Sequence, residues 1–359
     1  MARRALAALL LCLAVAGCGI AGSATIQAPV KVYVSLPLTG PRGPEGRDAA
    51  DGARLALERS SGKAGAIEVR ARYLDDAKGA AWDPVAVGAN ARQAVQDSSA
   101  AAYVGELDSE PTRASVPITN DAGLVQVSPG AGAVDLTRPA AGYPNSPDRY
   151  RPSGSPNFAR TVPGDDLVVD AAADWASELG ATQAVATSDG SAFQNLAAAE
   201  FRSAASRHGI QVAPGTPPAK VAVTGTGKQA VYELGQQRLS IYGSSPMSLE
   251  VSPVLDPKLL PNKQFENLFA TRFHRNPGPY AAYGYEAMNL VLHAIQGAGT
   301  DSSSFRDNVR NGVFGSHLDG TVLGSYAITS DGDTTECMIQ RYRLSGTTRV
   351  PLGAPCPTR

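Results

Sequence analysis

Apolar positions along this chain switch repeatedly between the two-residue period of a strand and the three-to-four-residue period of a helix. Val30 to Leu38 (VKVYVSLPL) reads as a strand, and the loop Thr39 to Gly46 leads to a helix over Asp48 to Ser60, with Ala49, Ala53, Ala56 and Leu57 on one face. Ile67 to Leu74 is a second strand, and Pro84 to Gln96 is a helix with its proline in the first turn. Ala101 to Leu107, Pro111 to Asp121 and Leu124 to Val127 continue as strand, helix and strand. Repeated β-α-β order with right-handed crossovers predicts a parallel, doubly wound sheet.

The stretch from Ala133 to Ser155 is rich in Pro, Gly and Ser and marks a surface excursion or a boundary between lobes. The pattern then restarts with a helix over Asp165 to Leu179, a strand over Gln183 to Ala186 and a helix over Phe193 to His208. Further strands are predicted over Gly209 to Val212, Lys220 to Thr224 and Leu239 to Tyr242. Helices follow over Asn262 to His274, Pro279 to Gln296 and Ser304 to Val313; in the second, Tyr283, Ala287, Leu290 and Ala294 mark a core face. The tail from Thr321 to Val350 alternates like a hairpin turning near Asp331-Gly332.

The N-terminus adds a destination. Arg3 and Arg4 precede an apolar run from Ala5 to Gly17, the layout of a secretory signal. The run is shorter than the about 20 residues a bilayer span requires. Val15-Ala16-Gly17-Cys18 resembles the lipobox of bacterial lipoproteins, which implies removal of 1–17, acylation of Cys18 and attachment to the extracytoplasmic face of the membrane through two or three chains. The alternative is an ordinary signal peptide that carries a cysteine. Small and polar residues from Gly19 to Ala28 read as a tether. Export leaves Cys337 and Cys356, most simply a disulfide in an oxidising compartment and otherwise two free thiols. His208, His274, His293 and His317 show no metal-ligand spacing with them. A net charge of −1 without a basic stripe argues against nucleic acid as a partner.

Four collinear segments, LPLTGPRGPEGRDAADGARLALE, YVGELDSEPTRASVPITNDAGLVQVSPGA, NFARTVPGDDLVVDAAADWASELGA and GPYAAYGYEAMNLVLHAI, are similar to segments of the branched-chain amino-acid (Leu/Ile/Val-type) binding proteins of ABC transporters. The resemblance spans nearly the whole exported chain. It implies an α/β fold of the type I periplasmic kind: two Rossmann-like lobes with parallel sheets, joined by three crossings, closing over a ligand. Residues 29–157 with 254–320 would form lobe 1, and 158–253 with 321–359 lobe 2.

Carried over residue by residue, the resemblance implies that Ser109, beside the start of the Pro111 helix, holds a ligand carboxylate. As chemistry this is reasonable, because a helix N-terminus with a hydroxyl is an anion site; a helix cap without ligand is the alternative. Gly130, Ala131 and Gly132 follow the fourth strand at the ligand edge of the sheet, with Gly132 standing where the family usually has a threonine. Asp165 matches an acid that faces the cleft, or else caps its helix. Phe193 stands where a stacking tyrosine is common, or else packs in the core. Ser245 falls where an ammonium-binding glutamate is expected. Lobe 2 is short: only APGTPPA lies between Val212 and Lys220, and little lies between Ser245 and Pro253, so a βα layer element is missing and the exposed sheet face must be covered in some other way.

The leading expectation is therefore a monomeric, lipid-anchored solute-binding protein that captures an amino acid or related small polar ligand for the membrane permease of an ABC importer. The second is a surface sensory or interaction module on the same fold, with altered or lost ligand binding and a membrane signalling partner. No cofactor, metal or catalytic residue is expected. A Gly-x-Ser-x-Gly elbow is absent, and the prolines of the loop Gly40 to Gly46 remove donors that a phosphate would need. That loop reads as a rim of the cleft, with Glu45 solvated or facing a ligand cation. Asp75-Asp76 reads as a solvated loop.

Overall fold

The computed structural model describes residues 25–26, 29–213, 228–301, 303–346 and 348–358. The expected signal segment 1–17, Cys18, all but two residues of the expected tether, and the strand expected over Lys220 to Thr224 lie outside the described residues.

The first half forms β1 (Val30–Leu36), α1 (Gly43–Arg59), β2 (Lys63–Ala64), β3 (Ile67–Asp75), α2 (Pro84–Gln96), β4 (Ala100–Val104), α3 (Ser109–Asp121), β5 (Val125–Ser128) and β6 (Phe158–Arg160). These strands make one six-stranded sheet in the order β2-β3-β1-β4-β5-β6, parallel except for the β2–β3 pair at its edge. Helix α1 starts five residues before the apolar pattern, inside the glycine-rich loop, because Pro44 and Glu45 suit a first turn.

The second half forms α4 (Asp165–Glu178), β7 (Ala181–Thr187), α5 (Ala192–Arg207), β8 (Gln211–Ala213), β9 (Lys228–Glu233), β10 (Arg238–Tyr242) and β11 (Met247–Ser252). The chain then returns as α6 (Gln264–Phe273), α7 (Tyr280–Gly297), α8 (Phe305–Phe314), β12 (His317–Thr321) and β13 (Gly324–Ala327) before crossing again into β14 (Gln340–Ser345) and β15 (Thr348–Gly353). Leu290, Val291 and Ile295 of α7 and Val309 and Val313 of α8 are buried against the first sheet. Helices α1 and α7 meet at reciprocal glycines, where a Cβ on Gly52 would collide with the Ala281 carbonyl and one on Gly284 with that of Ala49.

The second sheet departs from the all-parallel expectation. Its seven strands run β15-β14-β11-β10-β9-β7-β8, and only the β7–β8 and β7–β9 pairs are parallel. The β9–β10, β10–β11, β11–β14 and β14–β15 pairs are antiparallel. The shortening read from the sequence is the cause. A parallel neighbour needs a crossover of a dozen or more residues, whereas a few residues close a hairpin. Only Leu234 to Gln237 separate β9 from β10, and Gly243 to Pro246 separate β10 from β11.

The exposed-face problem is solved by alternation. Leu239, Ile241, Leu249 and Val251 face α4 and α5, while Arg238, Ser240, Ser248 and Glu250 between them carry polar groups to the other side. Arg349 on β15 pairs with Glu250 there at 2.8 Å. The tail is two hairpins rather than one. Residues Asp331-Gly332 do turn between Ile328 and Thr334, but the longer pairing, β14 with β15, extends the second sheet.

Three segments connect the halves. Phe158 to Arg160 still pairs with β5, and Leu318, Tyr326 and Ile328 pack in the first core. One ion network ties the halves. Arg160, fully buried, donates through Nε to Asp333 at 2.9 Å; Arg138 donates to Asp333 at 2.7 Å and to Asp166 at 3.1 Å. Cys337 and Cys356 are bonded just beyond, with Cα atoms 5.0 Å apart.

Candidate functional site

A cavity of about 660 Å³ opens between the two sheets at the carboxyl ends of the parallel strands. Asp108, Ser109, Glu110, Arg113, Gly130, Gly132, Tyr143 and Tyr280 line it from one side. Asp165, Asp189, Ser191, Phe193, Gly235 and Gln237 line it from the other. Of the seven ligand-facing positions read from the sequence, Ser109, Gly130, Gly132, Asp165 and Phe193 meet here.

Two do not. Ala131 is completely buried, and its N–H, like that of Gly130, donates to Ser128 Oγ, at 2.8 and 3.1 Å. The ligand contacts expected from those two amides are therefore already committed within the loop. Ser245 is exposed in the β10–β11 turn. Because β10 runs antiparallel to β9, the loop that follows β10 leaves the sheet at the edge opposite the cavity, beside Lys228 at the start of β9. The turn that reaches the cavity is the one between β9 and β10, at Gly235 and Gln237.

Ser109 opens α3 at its first residue and is not its cap; Asp108 holds that position. The Ser109 hydroxyl accepts from the Ala133 N–H at 3.1 Å and keeps its own proton for another partner. The Gly132 N–H donates to nothing among the described residues. Asp165 is the first residue of α4 and caps nothing with its side chain. Its backbone N–H binds the Gly132 carbonyl at 2.8 Å, and its carboxylate fills the space a Cβ on Gly132 would take. Gly132 thus leaves that volume to an acid from the other half. Burial pushes the Asp165 carboxyl up to about 6, with Arg160 and Arg113 pulling the other way. Phe193, in the first turn of α5, is half-buried and stands outside the apolar core of its half.

The site also contains cations the sequence reading did not single out. Arg113 donates through Nε to Asp135 at 2.8 Å and through Nη1 to Glu110 at 2.6 Å, and lies over the Tyr143 ring at 4.7 Å. At the rim, Arg42 forms a two-bond pair with Asp108, reaches Glu45 at 3.4 Å and lies over Tyr280. Glu45 is thus engaged by its own helix. Each has an acid three residues away on its own helix, Glu110 or Glu45, but its second partner, Asp135 or Asp108, is distant in sequence.

Beneath the same sheet edge, Asp76 is fully buried and not solvated as the sequence suggested. It faces Glu106, itself buried and bonded by the Tyr103 hydroxyl at 2.6 Å. Both Asp76 oxygens and one Glu106 oxygen receive no donor among the described residues. Two carboxyls in such contact share a proton. Burial first, and then Asp76, raises Glu106 well above the carboxylate range; burial pushes Asp76 up to about 6. A folded-state value raised above the unfolded one means stability is greatest below about pH 4 and falls as pH rises towards 6. Asp76→Asn should therefore unfold at higher urea concentration than the parent at pH 7.5, by about 1–2 kcal/mol. The difference should shrink at pH 4.

Among the described residues no helix is long and apolar enough to cross a membrane. No curated protein matches this sequence. Solved structures do resemble it. A leucine-binding protein, LivK, from Thermotoga maritima is 19% identical, with 91% of this chain and 99% of that one covered and a TM-score of 0.68. A solute-binding protein of an ABC transporter from R. palustris, in complex with benzoate, is 17% identical over 92% of this chain and 97% of its own, with a TM-score of 0.65. LivJ from Streptococcus pneumoniae, in complex with isoleucine, is 14% identical over 92% and 100%, with a TM-score of 0.67. At such identities the likeness is one of fold. The sequence itself matches a family model described as periplasmic binding protein over residues 29–233. That match covers more than half of the chain, and it places this protein in the periplasmic binding protein family.

Proposed function

We propose that this protein is the exported, lipid-anchored solute receptor of an ABC importer, holding one small polar molecule in the cavity between its lobes. Residues 29–160 with 257–330 would form one lobe and 161–252 with 338–358 the other. The observation that carries the reading is the convergence of Ser109, Gly132, Asp165 and Phe193, from both sides, on one cavity. A ligand bridging the walls favours the closed state by its contacts with both, the hinge closure known for such folds. The Ser109 hydroxyl and the Gly132 N–H are donors left for an anionic or carbonyl group, and Asp165 is an acceptor beside Gly132. Anchoring through Cys18 would keep a monomeric receptor beside its permease.

Calorimetric and thermal-shift titration of the protein from Gly19 onward, against amino acids, aromatic acids, amines and amides, tests this reading. A ligand at 100 times its Kd should add about 2.7 kcal/mol of stability. Binding that survives exchange of Ser109 to Ala and Asp165 to Asn together would remove the cavity from the account. A second reading, a sensory or interaction module, is favoured by the loss of Ser245 and of the Gly130 and Ala131 amides from the site. Absence of any small-molecule response would select it.

A further inference from the structure

We infer that the molecule this cavity takes is an organic cation, with an ammonium or guanidinium group seated against Asp165 and the Phe193 ring. The inference rests on the cavity being the ligand site and concerns the charge of its occupant.

Both cations at the cavity are neutralised by the protein itself. Arg113 is held between Asp135, which is 1% exposed, and Glu110; Arg42 is held between Asp108 and Glu45. Every nitrogen of the Arg113 guanidinium already donates to a carboxylate, and two carboxylates balance its charge, so it offers a ligand anion no unpaired charge. The other donors in the cavity are uncharged, among them the Ser109 hydroxyl and the Gly132 N–H. Pro111 leaves the third position of α3 without an N–H, and Gly130 and Ala131 donate to Ser128.

Negative charge is in surplus. Asp165 accepts no hydrogen bond and joins no ion pair among the described residues, although it sits in the wall of the cavity. With its carboxyl at about 6, it is ionised at neutral pH. Asp189, bonded only within its own turn, adds a second carboxylate at the same wall. A desolvated carboxylate without a partner is costly, and a ligand cation removes that cost. Phe193 supplies the remaining recognition. Tyr143 and Tyr280 already have a guanidinium over their rings, whereas no cation lies over the Phe193 ring among the described residues, and a cation over a ring face is attracted by its quadrupole.

The test is calorimetric titration of the parent protein and the Asp165→Asn and Phe193→Leu variants with putrescine, agmatine and L-arginine, against L-leucine and benzoate. The expected result is saturable binding of at least one cation, weakened about ten- to a hundredfold by Asp165→Asn and less by Phe193→Leu. L-leucine and benzoate should not compete. Asp165→Asn removes an unpartnered charge, so its unliganded melting temperature should be at least that of the parent, which checks its fold. Saturation by L-leucine or benzoate without any response to the cations would overturn the inference and leave the solute-receptor reading intact. Equal cation affinity in parent and Asp165→Asn would also overturn it. Silence from all five probes would count against both.

Discussion

Replacing Asp333 by alanine is expected to lower the unfolding free energy by about 3–5 kcal/mol, more than any other single exchange at the crossings. Asp333 binds both Arg160 and Arg138. Arg160 is completely buried, and its other bonds go to the Ala133 carbonyl at 2.8 Å and the Thr137 hydroxyl at 2.8 Å, neither of which carries charge. Removing Asp333 therefore takes from a guanidinium in a low-dielectric site the carboxylate that binds two of its nitrogens, and much of the desolvation incurred on folding is no longer offset. Burial pushes the Asp333 carboxyl up, but Arg160 and then Arg138 outweigh it and hold it below the usual range. A depressed carboxylate contributes stability that is present at neutral pH and lost as pH falls through its folded value. Urea unfolding should thus show the full loss at pH 7 and a smaller one near pH 3. A double exchange of Arg160 to Met and Asp333 to Leu should recover much of the loss, because an apolar pair carries no buried charge. A parent-like midpoint for Asp333→Ala would show that the network contributes nothing to stability.

Reducing the Cys337–Cys356 bond, or exchanging both cysteines for serine, is expected to cost about 3 kcal/mol. The bond spans 19 residues and encloses the β14–β15 hairpin. That hairpin extends the second sheet beyond β11, and the following tail docks on α4, where Thr358 donates to Asp174 from its N–H and its hydroxyl, both at 2.6 Å. Without the cross-link the unfolded chain gains loop freedom while the folded contacts remain, so the effect falls mainly on the unfolded state. Hydrogen exchange should show β14 and β15 losing protection before β7 and β9. Uniform loss across both sheets would mean that the hairpin is not a separable unit.

Much of this architecture is written locally. Strands β1, β3, β4 and β5 and helices α2, α5 and α7 follow from apolar periodicity, because each buries one face or stripe and the period of that stripe is a property of neighbouring residues. Gly130 and Gly132 could be placed at the ligand edge of the sheet, where loops after parallel strands gather, while Ser109, Asp165 and Phe193 were reached through the family resemblance. The pairing of the last two cysteines was the simplest reading of their number in a chain expected to be exported.

Strand direction in the second half was not. Whether β10 runs with or against β9 depends on what the connection can span and on which edge is unpaired, and both are relations between distant segments. The mistaken position of Ser245 follows from that single reversal. Asp76 beside Glu106, Asp165 over Gly132 and Arg160 with Asp333 share the same reason: their partners are brought together by the packing of separate elements, and burial, which sets their charge state, exists only once the chain has folded. The sequence by itself determined the elements, the two α/β halves and the edge where a ligand would lie. The tertiary structure alone decided which polar groups at that edge are still free, because a donor or a charge is available only if no distant residue has already claimed it.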